Sequence, residues 1–174
     1  KNLAQKLTGR RIKAVTRRAK YIVMALDDGN ALRLHLGMSG RLVVGKAGAH
    51  DKHDHVVWHF DGDKVLRFND PRRFGMLDHL PQADLSKHKL LRHLGIEPLA
   101  GDLTGTKLLA LFKGKKTSLK AALLDQRLVV GVGNIYACEA MFYARLNPKR
   151  HAGSIKPDEA KRLAAAIKRV LQAA

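Results

Sequence analysis

Gln126-Arg-Leu-Val-Val-Gly-Val-Gly-Asn-Ile-Tyr136 is the stretch from which the rest of the chain can be read. Gly131 and Gly133 sit in a tight apolar turn, Asn134 follows, and a helical pattern starts at Ile135. Glycine lets backbone amides approach a ligand closely and adopt left-handed angles. Amides exposed at a helix start attract an anion. A buried apolar turn with no ligand would show the same residues. The surroundings bear on the choice: 33 Lys and Arg stand against 15 Asp and Glu, a formal net charge of +18. The excess is spread along the whole length rather than held in one block. The anion expected at the turn is therefore a nucleic-acid phosphate.

The 174 residues suffice for one large or two small domains. A hydrophobic fraction of 45% supports a packed core and excludes a disordered basic tail. An anionic membrane surface is the second partner class for such a charge. No apolar run approaches transmembrane length, and the first residues do not read as a signal peptide. The expected compartment is the cytoplasm, without a membrane partner. One cysteine, Cys138, excludes an internal disulfide and a zinc site built on several cysteines of these residues. It lies in Ile-Tyr-Ala-Cys-Glu-Ala-Met-Phe and reads as a small core residue.

Upstream of the opening stretch, residues 10 to 80 read as strands. Arg11 to Thr16 alternates, with Ile12, Ala14 and Thr16 on one face. Tyr21 to Leu26 is an apolar run ending at the hairpin signal Asp27-Asp-Gly29. Ala31 to Leu36 points Leu32, Leu34 and Leu36 inward, and Arg41 to Val44 follows a Gly-Met-Ser-Gly turn. His55 to Phe60 and Val65 to Phe68 flank a second hairpin signal, Asp61-Gly-Asp63, and Phe74 to Leu77 closes the set. This predicts an antiparallel sheet or sandwich. Leu85 to Leu94, Thr106 to Phe112, Ser118 to Leu124, Ile135 to Ala144 and a segment from Pro157 to the C-terminus carry helical spacing. Leu108, Leu109 and Phe112 form one apolar face; Leu163, Ile167, Val170 and Leu171 form another. The predicted class is α+β, with residues 1–80 strand-rich, 81–101 a linker and 102–174 helical.

Several segments carry candidate chemistry. Asn69-Asp-Pro-Arg-Arg-Phe-Gly75 places two arginines beside an aromatic in a loop after a strand. Arginine binds phosphate or a base edge, and phenylalanine can wedge between bases. A surface arginine pair with a core phenylalanine fits equally well. Met38 stands in the glycine-flanked turn of His35-Leu-Gly-Met-Ser-Gly40. Taken alone it reads as folded back into the core; an apolar wedge would explain it in an exposed turn. His53 and His55 of Lys52-His-Asp-His55 alternate on a strand and face opposite sides, which argues against a shared metal. Phosphate contact by one of them is the better reading. Lys20, in Arg17-Arg-Ala-Lys20, reads on composition as part of a solvated charge run, although a lysine at a sheet mouth can act as a base or amine nucleophile. Lys113-Gly-Lys-Lys-Thr-Ser-Leu-Lys120 lacks the spacing of a phosphate-binding loop, yet Lys115, Lys116 and Lys120 can contact a nucleic-acid backbone.

Six of these segments, in order, resemble the formamidopyrimidine-DNA glycosylase family (Fpg/MutM type). They are Arg17-Arg-Ala-Lys-Tyr21, His35-Leu-Gly-Met-Ser-Gly40, Lys52-His-Asp-His-Val56, Asp70-Pro-Arg-Arg-Phe-Gly75, Leu94-Gly-Ile-Glu-Pro-Leu99 and Val129-Val-Gly-Val-Gly-Asn-Ile-Tyr-Ala137. The sister endonuclease VIII group fits less well in the second and fourth. The resemblance implies an N-terminal antiparallel β-sandwich followed by a helix–two-turns–helix (H2TH) module. It implies base excision repair of double-stranded damaged DNA in the bacterial cytoplasm, at the nucleoid, by a monomer. Family enzymes flip the damaged nucleotide, remove 8-oxoguanine or formamidopyrimidine, and cut the strand by β,δ-elimination through a Schiff base. By position, Lys20 matches the catalytic proton donor. Met38, Arg72 and Phe74 match the residues that fill and probe the gap left by flipping. His53, Arg72 and Lys116 match DNA-backbone contacts, and Lys120 and Asn134 match phosphate ligands near the lesion.

The departures are equally definite. The family pattern opens on Pro-Glu-Leu-Pro-Glu, whose proline amine is the nucleophile and whose first glutamate is a general acid; this sequence opens on Lys1-Asn-Leu. The four-cysteine zinc finger of the complete family protein, with its arginine, has no counterpart up to Ala174. No metal or other cofactor is therefore expected on these residues, and zinc is expected in the complete protein. Ile96 stands where the family usually has proline. The expectation is a fragment of a bifunctional glycosylase and AP lyase: impaired or inactive alone, binding DNA with strong salt dependence, and of marginal stability. A DNA-binding module without turnover is the alternative, and an RNA-binding H2TH protein a third.

Overall fold

Asp27-Asp-Gly29 does reverse the chain, and the first sheet grows around that turn. In the computed structural model, which describes residues 2–174, a short helix α1 (Leu3–Leu7) precedes strands β1 (Ile12–Arg18), β2 (Tyr21–Leu26) and β3 (Asn30–His35). Strands β4 (Arg41–Lys46), β5 (Asp54–His59), β6 (Lys64–Asn69) and β7 (Met76–Pro81) follow. Two antiparallel sheets result, ordered β1-β2-β3-β7 and β4-β6-β5. Met24, Leu26 and Leu32 of the first sheet pack in one cluster with Leu42, Trp58 and Leu66 of the second, so the sheets face each other as a sandwich. Only those first three residues of the cluster are fully buried, which makes its core thin.

Residues from 94 onward build the helices α2 (Gly105–Phe112), α3 (Leu119–Leu124), α4 (Asn134–Ala144) and α5 (Pro157–Gln172). Thr104 and Ser118 cap α2 and α3, accepting from the amides of Lys107 and Ala121 at 3.1 and 3.2 Å. Pro157 opens α5, and Glu159 reaches back to the amide of Lys156 at 2.7 Å. Leu108, Phe112, Leu119, Leu123, Val129, Leu163 and Ile167 are all buried in one cluster. The contacts divide the chain into Lys1–Ser86 and Lys87–Ala174, two units each with its own core. The fold is α+β.

Four expectations need correction. Leu85 to Leu94 is not a helix: a 3-10 turn at Gln82–Asp84 and further turns fill it. Within that stretch only Leu91 is buried, so no apolar stripe holds a helix in place. The last strand begins at Met76, not Phe74, because Arg73 is left-handed and residues up to Gly75 are held in a loop. Ala14 and Thr16 are exposed on the edge strand β1, whose register shifts between Ile12 and Ala14. Cys138 is exposed, because the side of α4 turned to the core holds Ala137, Ala140, Met141 and Ala144.

Candidate nucleic-acid interface

In the strand-rich unit the candidate residues gather around two loops. Pro71 follows Asp70, and the amide of Arg73 bonds the Asp70 carbonyl at 3.2 Å, closing a four-residue turn. Arg72 is not left-handed, whereas Arg73 is, at φ 58°. This is a Pro-directed type I pattern with a left-handed residue after it. Phe74 comes next and stays 58% exposed. The second loop runs from His35 to Gly40 and leaves Met38 75% exposed. Gly37, at φ +68°, lies against the other loop: a Cβ there would sit 2.7 Å from Phe74 C and from Gly75 N. No other residue type allows that approach.

The three side chains meet. Arg72 Nη2 donates to Met38 Sδ at 2.8 Å, and its guanidinium lies 5.4 Å from the centre of the Phe74 ring. Met38 is thus not folded into the core, the reading its sequence alone favoured. Two exposed apolar side chains are thus bridged by one cation. His53 is tied to the same place through its backbone, its carbonyl accepting from the Asp70 amide at 3.0 Å. His55 Nε2 lies 2.8 Å from the Asp70 carbonyl. Among the described residues no group of three or more His, Cys, Asp or Glu is placed to hold a metal.

Lys20 is the second residue of a two-residue turn between β1 and β2, flanked by the pair Arg18 and Tyr21. The first residue of that turn, Ala19, is buried and left-handed at φ 53°, where turns of this length favour glycine. Partial burial lowers the Lys20 ammonium pKa from the ordinary lysine value. Its charge is felt at His35, whose pKa is pushed down by burial first, then by Lys20 and Arg33. His35 Nδ1 accepts from the Gly37 amide at 3.0 Å, so the neutral ring braces the Met38 turn. A histidine with a depressed folded pKa is neutral when folded and takes up its proton more readily when unfolded. Stability therefore falls as pH drops through the unfolded histidine value toward the folded one. We expect urea midpoints of the chain to decline between about pH 7 and pH 5, and His35→Asn to flatten that limb by removing the titrating ring.

In the helical unit the glycine turn is organised by Gln126, which the sequence did not single out. Its Oε1 accepts from the Gly131 amide at 2.9 Å, and its Nε2 donates to the carbonyls of Val132 and Leu124 at 2.9 and 3.2 Å. Gly131 is left-handed, at φ +81°. Val129, Val130 and Val132 are buried, which anchors the turn from below. Gly133 then caps α4 without a side-chain acceptor, no acidic residue lies in the first turn, and Asn134 is exposed. Uncapped amides with an exposed asparagine suit an anion. Lys120 is half-buried in the first turn of α3, its amide bonded to Pro148 O at 3.1 Å, and Lys116 is exposed in the preceding loop. Ile96, where the family pattern has proline, donates its amide to Leu128 O at 3.0 Å.

A two-sheet antiparallel sandwich, joined in sequence to a helical unit with a glycine-turn helix start, defines a two-unit α+β class. The chain belongs to the formamidopyrimidine-DNA glycosylase family: residues 1–77 match its N-terminal domain and residues 94–174 its H2TH domain. It is 46% identical to a formamidopyrimidine-DNA glycosylase of Ruegeria sp. (strain TM1040), over 98% of this chain and 63% of that protein. It is 49% identical to the one from Methylocella silvestris, over 98% of this chain and 64% of that protein. The chain thus spans a little under two thirds of the length of these relatives. Among solved structures, the MutM (Fpg) protein from Thermus thermophilus superposes with a TM-score of 0.83 at 43% identity, covering 95% of this chain and 60% of that one. The Lactococcus lactis Fpg in complex with DNA containing an abasic site superposes with a TM-score of 0.92 at 28% identity, covering 99% of this chain and 64% of that one.

Proposed function

We propose that the chain grips duplex DNA and probes it for a displaced base, as part of a DNA glycosylase and AP lyase acting on oxidised purines. The observation that carries this reading is the Met38–Arg72–Phe74 cluster, an apolar wedge held out of the sandwich and bridged by a guanidinium. Met38 and Phe74 enter the stack where the damaged nucleotide has left it, and Arg72 faces the base left unpaired or its phosphate. Lys116, Lys120, Asn134 and the amides opening α4 hold phosphates, and His53 adds a backbone contact. Lys20, with its lowered pKa, donates the proton at the sugar.

Excision needs the amine nucleophile and the glutamate that the family carries in Pro-Glu-Leu-Pro-Glu, a segment not found in these 174 residues. As it stands, the chain binds a lesion duplex and turns it over slowly or not at all. Zinc belongs, in this reading, to a finger outside the present residues. The test is binding by fluorescence anisotropy to a duplex containing an abasic-site analogue, to the same duplex undamaged, and to an RNA hairpin. A preference of about tenfold for the lesion is expected, lost in Met38→Ala/Phe74→Ala. Equal affinity for all three nucleic acids would overturn the reading in favour of a general RNA- or DNA-binding module.

A further inference from the structure

Asp70 is one of the few buried charged residues in the described chain, 1% exposed, and no charged side chain accounts for it among its hydrogen-bond partners. Its Oδ1 accepts from Ser39 Oγ at 2.9 Å and its Oδ2 from the Gly75 amide at 2.8 Å. Those two donors lie on different loops. Ser39 follows Met38 directly; Gly75 follows Phe74 directly. The main chain of Asp70 is engaged as well, its amide on His53 O and its carbonyl under Arg73 N and His55 Nε2. Asp70 therefore joins the Met38 turn and the Arg72–Phe74 loop through its carboxylate, and the turn carrying His53 through its main chain. Its pKa is held below the ordinary carboxylate value, by the Gly75 amide first and by the Ser39 hydroxyl after it, so the bridge is made by the charged form.

We infer that Ser39 and Asp70 are positioning residues, a buried clasp that sets Met38 and Phe74 at the spacing needed to enter the base stack together. The inference rests on the proposed probing role of those two side chains and says what keeps them in register. Asp70 is buried, so it acts through the two loops and not as a surface contact. Glycine at 37 and at 75 permits the loops to approach: a Cβ on Gly75 would lie 2.3 Å from the Phe68 ring and 3.1 Å from Asp70 Oδ2. Close approach alone leaves the loops free to slide. The paired hydrogen bonds from two loops to one buried carboxylate remove that freedom, and charge-assisted bonds of this kind are stronger than neutral ones. The wedge then meets DNA already formed, without ordering on contact.

The test uses a duplex with 2-aminopurine beside an abasic-site analogue, whose fluorescence rises when a wedge unstacks it. The unaltered chain is compared with Ser39→Ala, Ser39→Thr and the control Met38→Ala/Phe74→Ala. Ser39→Ala is a mild change that leaves the Gly75 bond in place, so it is expected to fold. We expect Ser39→Ala to lower the fluorescence rise by about threefold or more while affinity for undamaged duplex stays within about twofold. Ser39→Thr, which keeps the hydroxyl, is expected to restore the signal. A full signal in Ser39→Ala overturns the clasp and leaves the probing role standing. A parallel loss of signal and of undamaged-duplex binding in Ser39→Ala also overturns it, since the residue would then serve general stability. No rise in the unaltered chain, or an unchanged rise in the double control, overturns the probing role itself.

Discussion

Affinity of this chain for duplex DNA is expected to fall about a thousandfold as salt rises from about 50 to 200 mM, if roughly six phosphates are neutralised. The expectation comes from the charge and from where it sits. Lys116, Lys120 and the uncapped start of α4 lie on one unit, and Arg72 and His53 on the other, so each unit carries groups proposed to bind phosphate. No acidic residue lies in the first turn of α2, α3 or α4 to repel an anion. Lys116→Ala and Lys120→Ala should each make the slope of log K against log salt shallower by about one. Measured by anisotropy on an undamaged duplex, a flat dependence would remove the electrostatic account of binding. An unchanged slope in both variants would move the phosphate contacts to other lysines.

Phe112→Ala is expected to cost the helical unit about 3–5 kcal/mol. Phe112 is completely buried at the C-terminal end of α2, in the cluster that also holds Leu119, Leu123 and Ile167. Truncating it leaves a ring-sized hole that α2 and α5 cannot close without moving. Its backbone matters too: Phe112 O accepts from the Lys115 amide at 3.0 Å, and Gly153 packs close against the same carbonyl. The basic loop carrying Lys116 is therefore hung on the residue that fills the core. A domain of this size loses roughly 4–8 °C of melting temperature per kcal/mol, so a shift of at least about 12 °C should appear by circular dichroism. Phe112→Leu, which refills part of the hole, should recover a good share of it. A shift of only a few degrees would mean that the cluster is looser than its burial indicates.

Local signals carried much of this into view. The hairpin turn at Asp27-Asp-Gly29, the alternation of Leu32 and Leu34, and the stripe Leu163, Ile167 and Val170 are each contained within a few residues. Such patterns survive folding because neighbours in sequence remain neighbours in space. The same holds for the glycine turn before α4. What stayed hidden depends on distant partners. Leu85 to Leu94 has helical spacing yet meets too little apolar surface to fold as a helix. Cys138 sits on a helix whose apolar residues, Ile135 and Phe142 among them, do not gather into one stripe, so periodicity could not place it outside. Ser39 and Asp70 are polar residues in separate loops, and nothing local in either segment predicts that they bond. Gln126 had no signature beyond its position before an apolar turn.

The segment around Ile96 ties the start of the helical unit to the turn before α4. Gly95 N bonds Gln126 O, Ile96 N bonds Leu128 O, and Val130 N bonds Ile96 O, so Ile96 and Val129 form a small parallel bridge. Between the two strands of that bridge lies all of α2 and α3. The turn before α4 is closed locally by Gln126, while the Ile96–Val129 bridge ties its start to a distant segment. Forming that bridge closes a long loop, an entropic cost that the turn alone does not carry. The proposed phosphate site at the start of α4 therefore sits on a turn braced from a distant segment. DNA bound there would stabilise the bridged form by mass action.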